Sequence, residues 1–593
     1  MSHTIGGIEV IFTPTNQGYH HYWTEFKPSK ITLPKGWQRE PGRRALREAI
    51  IWEKDVAISM RDGTVLRGDV FRPADKDGVP LPALLPWSPY GKTGSGHHQT
   101  TSFTYLGVRH EHLSGLEKFE APDPAEWCPR GYVVVNVDAR GVFDSEGDIF
   151  ILGSQEGRDG HDTIEWMAEQ SWCDGNVALV GNSWLAMTQW YIAAEKPPHL
   201  KAIAPWEGIG DFYRESICRG GIPNYAFWDL LMQEFNGKTS REDVAAMIQK
   251  YPLMNAYWED KRPRLHDIDV PMYILASYST GLHTEGSIRA WKYAGSNEKW
   301  LRVHPTQEWF DIYQPFANDD LQRFLDHFLL GKENGWENTP RVRLSLLRYN
   351  RAPISFRAED AYPPSRVQYR RFYLEAASGR LLVDQPAQET KVSYQSDSWD
   401  DDGAHFNWTF DEPTELIGSS QAVLYMSCED LDDMDVYVIL RKLDKDGNAL
   451  LNFNIPFEHQ AAGVTEKDIP DVNIYKYVGP NGRLRASKRA TAEEPDIAEN
   501  RQGNREPTEL FFPHDKEEKV APGDVVELRI PLWAGGIAFD AGETLRLEVK
   551  GHDPILPEYP PLHRNLKNLN HGRHVVHTGG GFASFLVLPL TPA

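Results

Sequence analysis

Cysteine is scarce in this 593-residue chain: four residues, Cys128, Cys173, Cys218 and Cys428, stand far apart with no C-x-x-C pair. That spacing excludes a disulfide scaffold and a thiolate zinc site. Positive charge is also short. Lys and Arg number 63 against 85 Asp and Glu, a net charge of −22, which repels phosphate backbones and anionic membrane surfaces. The most basic stretch, residues 481–490, reads as a solvated loop. No apolar run approaches the length of a membrane span, and the first residues lack a basic segment followed by an apolar one. The expectation is a cytoplasmic protein acting on a small molecule, with no nucleic-acid or membrane partner. Homo-oligomerisation stays open.

Cofactor motifs are missing too. The glycine-rich residues 91–96 lack the spacing of a phosphate-binding loop, and there is no H-E-x-x-H. The histidines at 97–98, 110 and 112 have no carboxylate at ligand spacing. The acidic run Asp430 to Asp435 reads as a β-turn rather than a calcium loop. No metal or cofactor is expected.

What is present is a change of pattern along the chain. Residues 1–50, polar and aromatic, read as an N-terminal arm. Over 51–207, Val-rich runs such as GYVVVNVDARG and VALVGNSW alternate with helical spacing such as GRDGHDTIEWMAEQSW. That alternation predicts a parallel sheet covered on both faces. Residues 208–265 break the rhythm with helical stretches and read as a cap insertion. The strands VPMYILASYS and KWLRVHP then resume, within 266–340. From 341 to 593 short alternating segments separated by turns predict an all-β jelly roll.

Gly181-Asn182-Ser183-Trp184-Leu185-Ala186 lies between a Val-rich strand and a helix, the setting of a nucleophile elbow. There a serine in a strained turn projects its hydroxyl above the sheet. The Trp184 N–H, opening the helix, is placed to donate to an oxyanion. Leu185 stands where G-x-S-x-G has its last glycine. Asp138 and Arg140, in DARG, read as a structural ion pair or turn.

The segments DARGVFDSEG, EWMAEQSWCDGNVALVGNSWLAMTQW and LKAIAPWEGIGDFYRE, with MRDGTVLRGDVFRP and SPYGK upstream and HRNLKNLNHGRHVVHTGG near the end, resemble the cocaine-esterase (CocE/NonD) family of serine hydrolases, related to X-Pro dipeptidyl-peptidases. The resemblance implies an α/β-hydrolase fold with a helical cap insertion, followed by an all-β jelly roll. It implies Ser183 as nucleophile and Tyr90 as the phenol completing the oxyanion hole. Its acid and base do not carry over: Thr280 stands at the family's Asp, Glu308 at its His, and His304 at a glycine of the same motif.

A serine needs a base to take its proton, so three readings follow. In the first, Glu308 acts as the base on Ser183, with His304 or His283 beside it. In the second, the same residues run a non-hydrolytic reaction: elimination, isomerisation or C–C cleavage. In the third, the chain only binds a ligand. The first is favoured, with an ester or amide of a small apolar or aromatic molecule as substrate. The insertion supplies Tyr225, Phe227, Trp228, Phe235 and Trp258, with Trp206 nearby, either as substrate wall or as core. A peptidase reading is less favoured, since only Glu207 and Asp211 suggest themselves as partners for a peptide amine.

Overall fold

The computed structural model describes residues 3–15, 26–94, 104–495, 506–564 and 568–593. The histidines at 97–98 and part of the C-terminal segment 563–580 lie outside them. Among the described residues, one sheet of eleven strands organises the first part of the chain. Its strands are β1 (Ser29–Leu33), β2 (Ile50–Ser59), β3 (Val65–Pro73), β4 (Leu81–Leu85), β5 (Val133–Asp138), β6 (Cys173–Asn182), β7 (Leu200–Trp206), β8 (Met272–Ser277), β9 (Lys299–His304), β10 (Val342–Leu346) and β11 (Ile354–Glu359). Their spatial order is β11-β10-β9-β8-β7-β6-β4-β5-β3-β2-β1.

β4 to β10 are joined in parallel, and the outer strands pair antiparallel. β5, β8 and β9 are buried at every position; β5 and β8 read as near-continuous apolar runs for that reason, while β9 carries Lys299, Arg302 and His304, each held by a protein partner. β10 and β11 follow residue 340, yet they extend this sheet rather than the β domain to which the sequence reading gave them. Phe12–Pro14 of the N-terminal arm forms a separate two-stranded sheet with Ser240–Glu242 of the insertion.

The helices that matter for the site follow parallel strands. α1 (Ser154–Ala168) packs beside α2 (Trp184–Ala194). Every residue of α2 is buried, so it carries no amphipathic pattern and behaves as a core helix. Gly160 of α1 makes the packing close, because a β-carbon there would meet Ile192 at 2.3 Å. After β8 and β9 come α3 (Thr284–Tyr293), α4 (Glu308–Ile312) and α5 (Pro315–Leu330). The insertion contains short helices at Ala226–Met232, Val244–Lys250 and Ala256–Asp260.

The rest of the chain is β-structure built on the long strand Thr414–Cys428, which pairs antiparallel with Val526–Phe539, Arg573–Thr578 and Phe585–Pro592.

The DARG segment turns as expected, with the Val142 amide on the Ala139 carbonyl at 2.9 Å, and Asp138 and Arg140 enter ion pairs with other residues rather than with each other. Arg140 holds Asp159 through bonds of 2.7 and 2.6 Å and Asp62 at 2.9 Å, while Asp138 faces Lys92 at 3.9 Å. The basic stretch at 481–490 is not a solvated loop: Asn481–Arg485 is a strand, and Arg483 and Arg485 pair with Asp553 and Asp435 at 2.7 Å each. Cationic side chains enter an interior when carboxylates there neutralise them. Asp433 and Asp435 of the acidic run are likewise engaged with Lys519 and Arg485.

Candidate active site

The turn between β6 and α2 holds Ser183 at φ 56°, ψ −117°, outside the regions that a side chain prefers. Three features force it there. Gly181 before it has φ 127°, and a β-carbon would lie 2.6 Å from that of Leu185. The Ser183 N–H donates to the carbonyl of Glu207 at 2.9 Å, which ties the turn to the end of β7. Its own carbonyl accepts from the Ala186 and Met187 amides at 2.9 Å each and starts the helix. Ala186 in turn packs 3.1 Å from where a β-carbon of Gly208 would be, so a small residue is needed there. The Trp184 amide opens α2, where an N–H has no acceptor within the helix. Glu120 and Glu207 also have positive φ, 64° and 49°. Strained backbone thus gathers around Ser183, as it does at functional sites.

Above this turn the side chains form a chain of hydrogen bonds. His283, at the start of α3, places Nε2 3.2 Å from Ser183 Oγ. Its Nδ1 lies 2.8 Å from Glu308 Oε2. The imidazole is 2% and Glu308 5% exposed, so water competes little for either bond. Burial pulls the His283 pKa down, but the charge and hydrogen bond of Glu308, with Glu207 behind, outweigh it and leave the ring more basic than an ordinary histidine. Burial raises the Glu308 carboxyl above its usual range, against the opposing pull of His283.

Glu308 therefore meets His283, not the serine, and the expectation that it takes the Ser183 proton directly is not met. His304 is not beside the serine either. At the end of β9 its Nε2 pairs with Glu207, and Nδ1 lies 3.8 Å from Asp311. Glu207 also accepts from Ser277 at 2.9 Å. Thr280 receives the Ser277 hydroxyl at 3.0 Å. Glu207, His283 and Glu308 bring ligand-type atoms within 4.8 Å of one another. Each is already committed to protein partners, a pattern of proton-holding contacts rather than an open coordination set. Asp211 caps a helix and pairs with Arg214 at 2.7 Å. It and Glu207 lie off the cavity wall, so neither meets a substrate amine there.

Ser183 and His283 open into a cavity whose near wall includes Tyr90, Glu120 and Trp309. Burial, and next the neighbouring Glu120, push the Tyr90 phenol well above its ordinary pKa, so it keeps its proton as a donor. The insertion aromatics divide: Phe227 and Trp228 face the cavity. Phe235 packs on Trp184 and Tyr90, at 5.1 and 5.9 Å between centroids. Tyr225 is half-buried at the edge of the core, while Trp206 and Trp258 belong to it. The outer wall, with Asn454, Asn473, Glu558 and Tyr559, comes from the β domain.

Sequence reasoning missed Glu120 and this outer wall. The one signal was a run of charged residues, Glu117, Lys118 and Glu120, in an otherwise apolar loop.

Residues 62–307 match the family model of the X-Pro dipeptidyl-peptidase (S15 family), and 334–587 that of the X-Pro dipeptidyl-peptidase C-terminal non-catalytic domain. Cocaine esterase of Rhodococcus sp. is 39% identical over 160 residues, 27% of this chain and 24% of that protein. A putative Xaa-Pro dipeptidyl-peptidase of Streptomyces avermitilis is 22% identical over 334 residues, 50% of this chain and 47% of that one. The chain thus spans between a quarter and a half of these curated relatives' length. The crystal structure of a CocE/NonD family hydrolase from Staphylococcus aureus is 31% identical, with a TM-score of 0.83 over 96% of this chain and 98% of that one. Among the described residues no helix is long and apolar enough to cross a membrane. With an α/β-hydrolase sheet, a C-terminal β domain and this near full-length likeness, the chain belongs to the CocE/NonD family of hydrolases, related to the X-Pro dipeptidyl-peptidases, and is a hydrolytic enzyme.

Proposed function

We propose that the protein is a serine esterase that cleaves esters of small, mainly apolar or aromatic acids through an acyl-enzyme on Ser183. The observation that carries this reading is the unbroken path Ser183 Oγ–His283 Nε2–His283 Nδ1–Glu308 Oε2, with steps of 3.2 and 2.8 Å. His283 takes the serine proton as Oγ attacks the ester carbonyl. Glu308 fixes the tautomer that leaves Nε2 free to accept, and it stabilises the imidazolium. The Trp184 N–H and the Tyr90 hydroxyl hold the oxyanion. His283 returns the proton to the departing alcohol, and water repeats the sequence to release the acid.

Base and acid have thus exchanged turns relative to the family pattern. The turn after β8, where the Asp is absent, supplies the histidine, and the turn after β9, where the histidine is absent, supplies the carboxylate. The exchange keeps the order of groups in space while reversing it along the chain, which recognition by geometry permits. It also leaves His304 with a structural task, as partner of Glu207. A complete relay at the serine favours hydrolysis over elimination or C–C cleavage.

Fluorophosphonate labelling read by intact mass tests it. One adduct is expected on the wild type, none on Ser183→Ala, and labelling slowed at least a hundredfold on His283→Ala. An unlabelled, folded wild type would sink the serine-esterase reading.

A further inference from the structure

Resting on the acyl-enzyme reading, we propose that Glu120 acts as a neutral carboxylic acid and donates a hydrogen bond to an uncharged oxygen in the acyl group carried on Ser183. Glu120 is 2% exposed and lines the catalytic cavity. Oε1 is occupied: it accepts from Trp309 Nε1 at 2.6 Å and from Asn182 Nδ2 at 3.3 Å. Its backbone carbonyl accepts from the Asn182 amide at 3.1 Å. These bonds tie it to the residue before the nucleophile and the residue after Glu308. Oε2 is buried with no hydrogen-bond partner.

An oxygen accepting two N–H bonds does not carry the proton, so Oε2 does. A buried O–H without an acceptor awaits one. An acyl group joined to Ser183 Oγ would lie in the cavity that Ser183 and Glu120 line together.

The charges around Glu120 agree. Glu308 is the nearby carboxyl, and its Oε2 is already held by His283 Nδ1 at 2.8 Å. The other titratable neighbours are Tyr90, Tyr313 and Tyr559, none of them cationic. A second buried anion beside Glu308 has nothing to offset it. Burial first, and then Glu308, lift Glu120 far above the ordinary carboxyl range, despite the bonds from Trp309 and Asn182. A protonated Glu120 selects an oxygen acceptor such as an ether. An ionised one would select an ammonium group.

Three p-nitrophenyl esters of equal acyl length separate these cases: butyrate, methoxyacetate and N-methylglycinate. The ratio of kcat/KM for methoxyacetate over butyrate is expected to fall about thirtyfold in Glu120→Leu. It should stay within threefold in Glu120→Gln, whose amide supplies the same donor. Any fall in the wild-type ratio with rising pH as Glu120 ionises should be absent in Glu120→Gln. A wild type that prefers the N-methylglycinate and loses that preference in Glu120→Gln would overturn the proposal, as would ratios unchanged in Glu120→Leu. Fluorophosphonate labelling of Ser183 in each variant keeps this outcome separate from the esterase reading itself: adducts with unchanged ratios refute only the role of Glu120.

Discussion

Replacing Glu308 with glutamine tests the exchanged relay most directly. In the wild type a carboxylate oxygen sits 2.8 Å from His283 Nδ1, with both side chains almost fully buried. At that separation the attraction between imidazolium and carboxylate is about 6 kcal/mol for an effective dielectric of about 20. This is the ceiling on what the carboxylate contributes once the ring is charged. Part is offset by the burial that both groups pay before reaction begins. Glutamine keeps the shape but removes the charge, and its amide can turn an N–H toward Nδ1 and lock the wrong tautomer. A fall in kcat of about 10³- to 10⁴-fold follows, or roughly 4–5 kcal/mol of barrier.

The assay is p-nitrophenyl butyrate hydrolysis across pH, with circular dichroism to check folding. The wild-type profile should rise with pH as His283 loses its proton, with a midpoint above that of a free histidine, because Glu308 holds the ring charged. In Glu308→Gln the midpoint should move to lower pH along with the loss of rate. A folded variant within tenfold of the wild type would refute the relay, since Glu308 would then be a bystander.

Tyr90→Phe should lower kcat about 10²- to 10³-fold with little change in KM, as expected on removing one oxyanion donor, and steady-state kinetics will read it. His304→Leu should leave Ser183 open to fluorophosphonate but destabilise the fold by about 3–5 kcal/mol, because Glu207 remains buried without its partner. Burial opposes the His304 charge, but Asp311 and Glu207 overcome it, so its pKa is raised in the folded state. Its stabilising contribution is therefore complete below the unfolded histidine value and is lost as pH rises through the folded one. In urea titrations the deficit of the variant should accordingly narrow as the pH is raised. Gly181→Ala should cost about 2 kcal/mol or more, visible as a lowered Tm, since a methyl group there collides with Leu185 at a φ unsuited to side chains.

The serine was readable because its signal is local. A Val-rich strand, a short turn of small residues and a helix are contiguous in sequence, and their periodicities differ. The strand–helix alternation was equally local, and it placed the sheet. The relay was only half readable. His283 and Glu308 could both be named, yet which one reaches the serine depends on how two separate turns project side chains, and neither turn carries that geometry in its sequence. His304 looked as promising as His283 by position. The difference is that Glu207, at the end of another strand, claims it. Arg483 and Arg485 read as exposed because nothing in their own segment reveals Asp553 and Asp435 across the fold. Glu120 was hidden for the same reason: its meaning comes from Asn182 and Trp309, each far away in sequence.

The β domain's share of the cavity wall separates two tasks that a single-domain hydrolase must combine. Asn454, Asn473 and Tyr559 stand on segments that carry none of the proposed bond-breaking groups. Those segments can be rewritten without disturbing the strained serine turn or the buried relay. A library confined to residues 452–474 and 554–562 would therefore change which esters enter while leaving the rate of attack on any that fit. The same division makes the β domain indispensable to selectivity: cut away, it would leave the reacting groups facing an open slope in place of an enclosed wall.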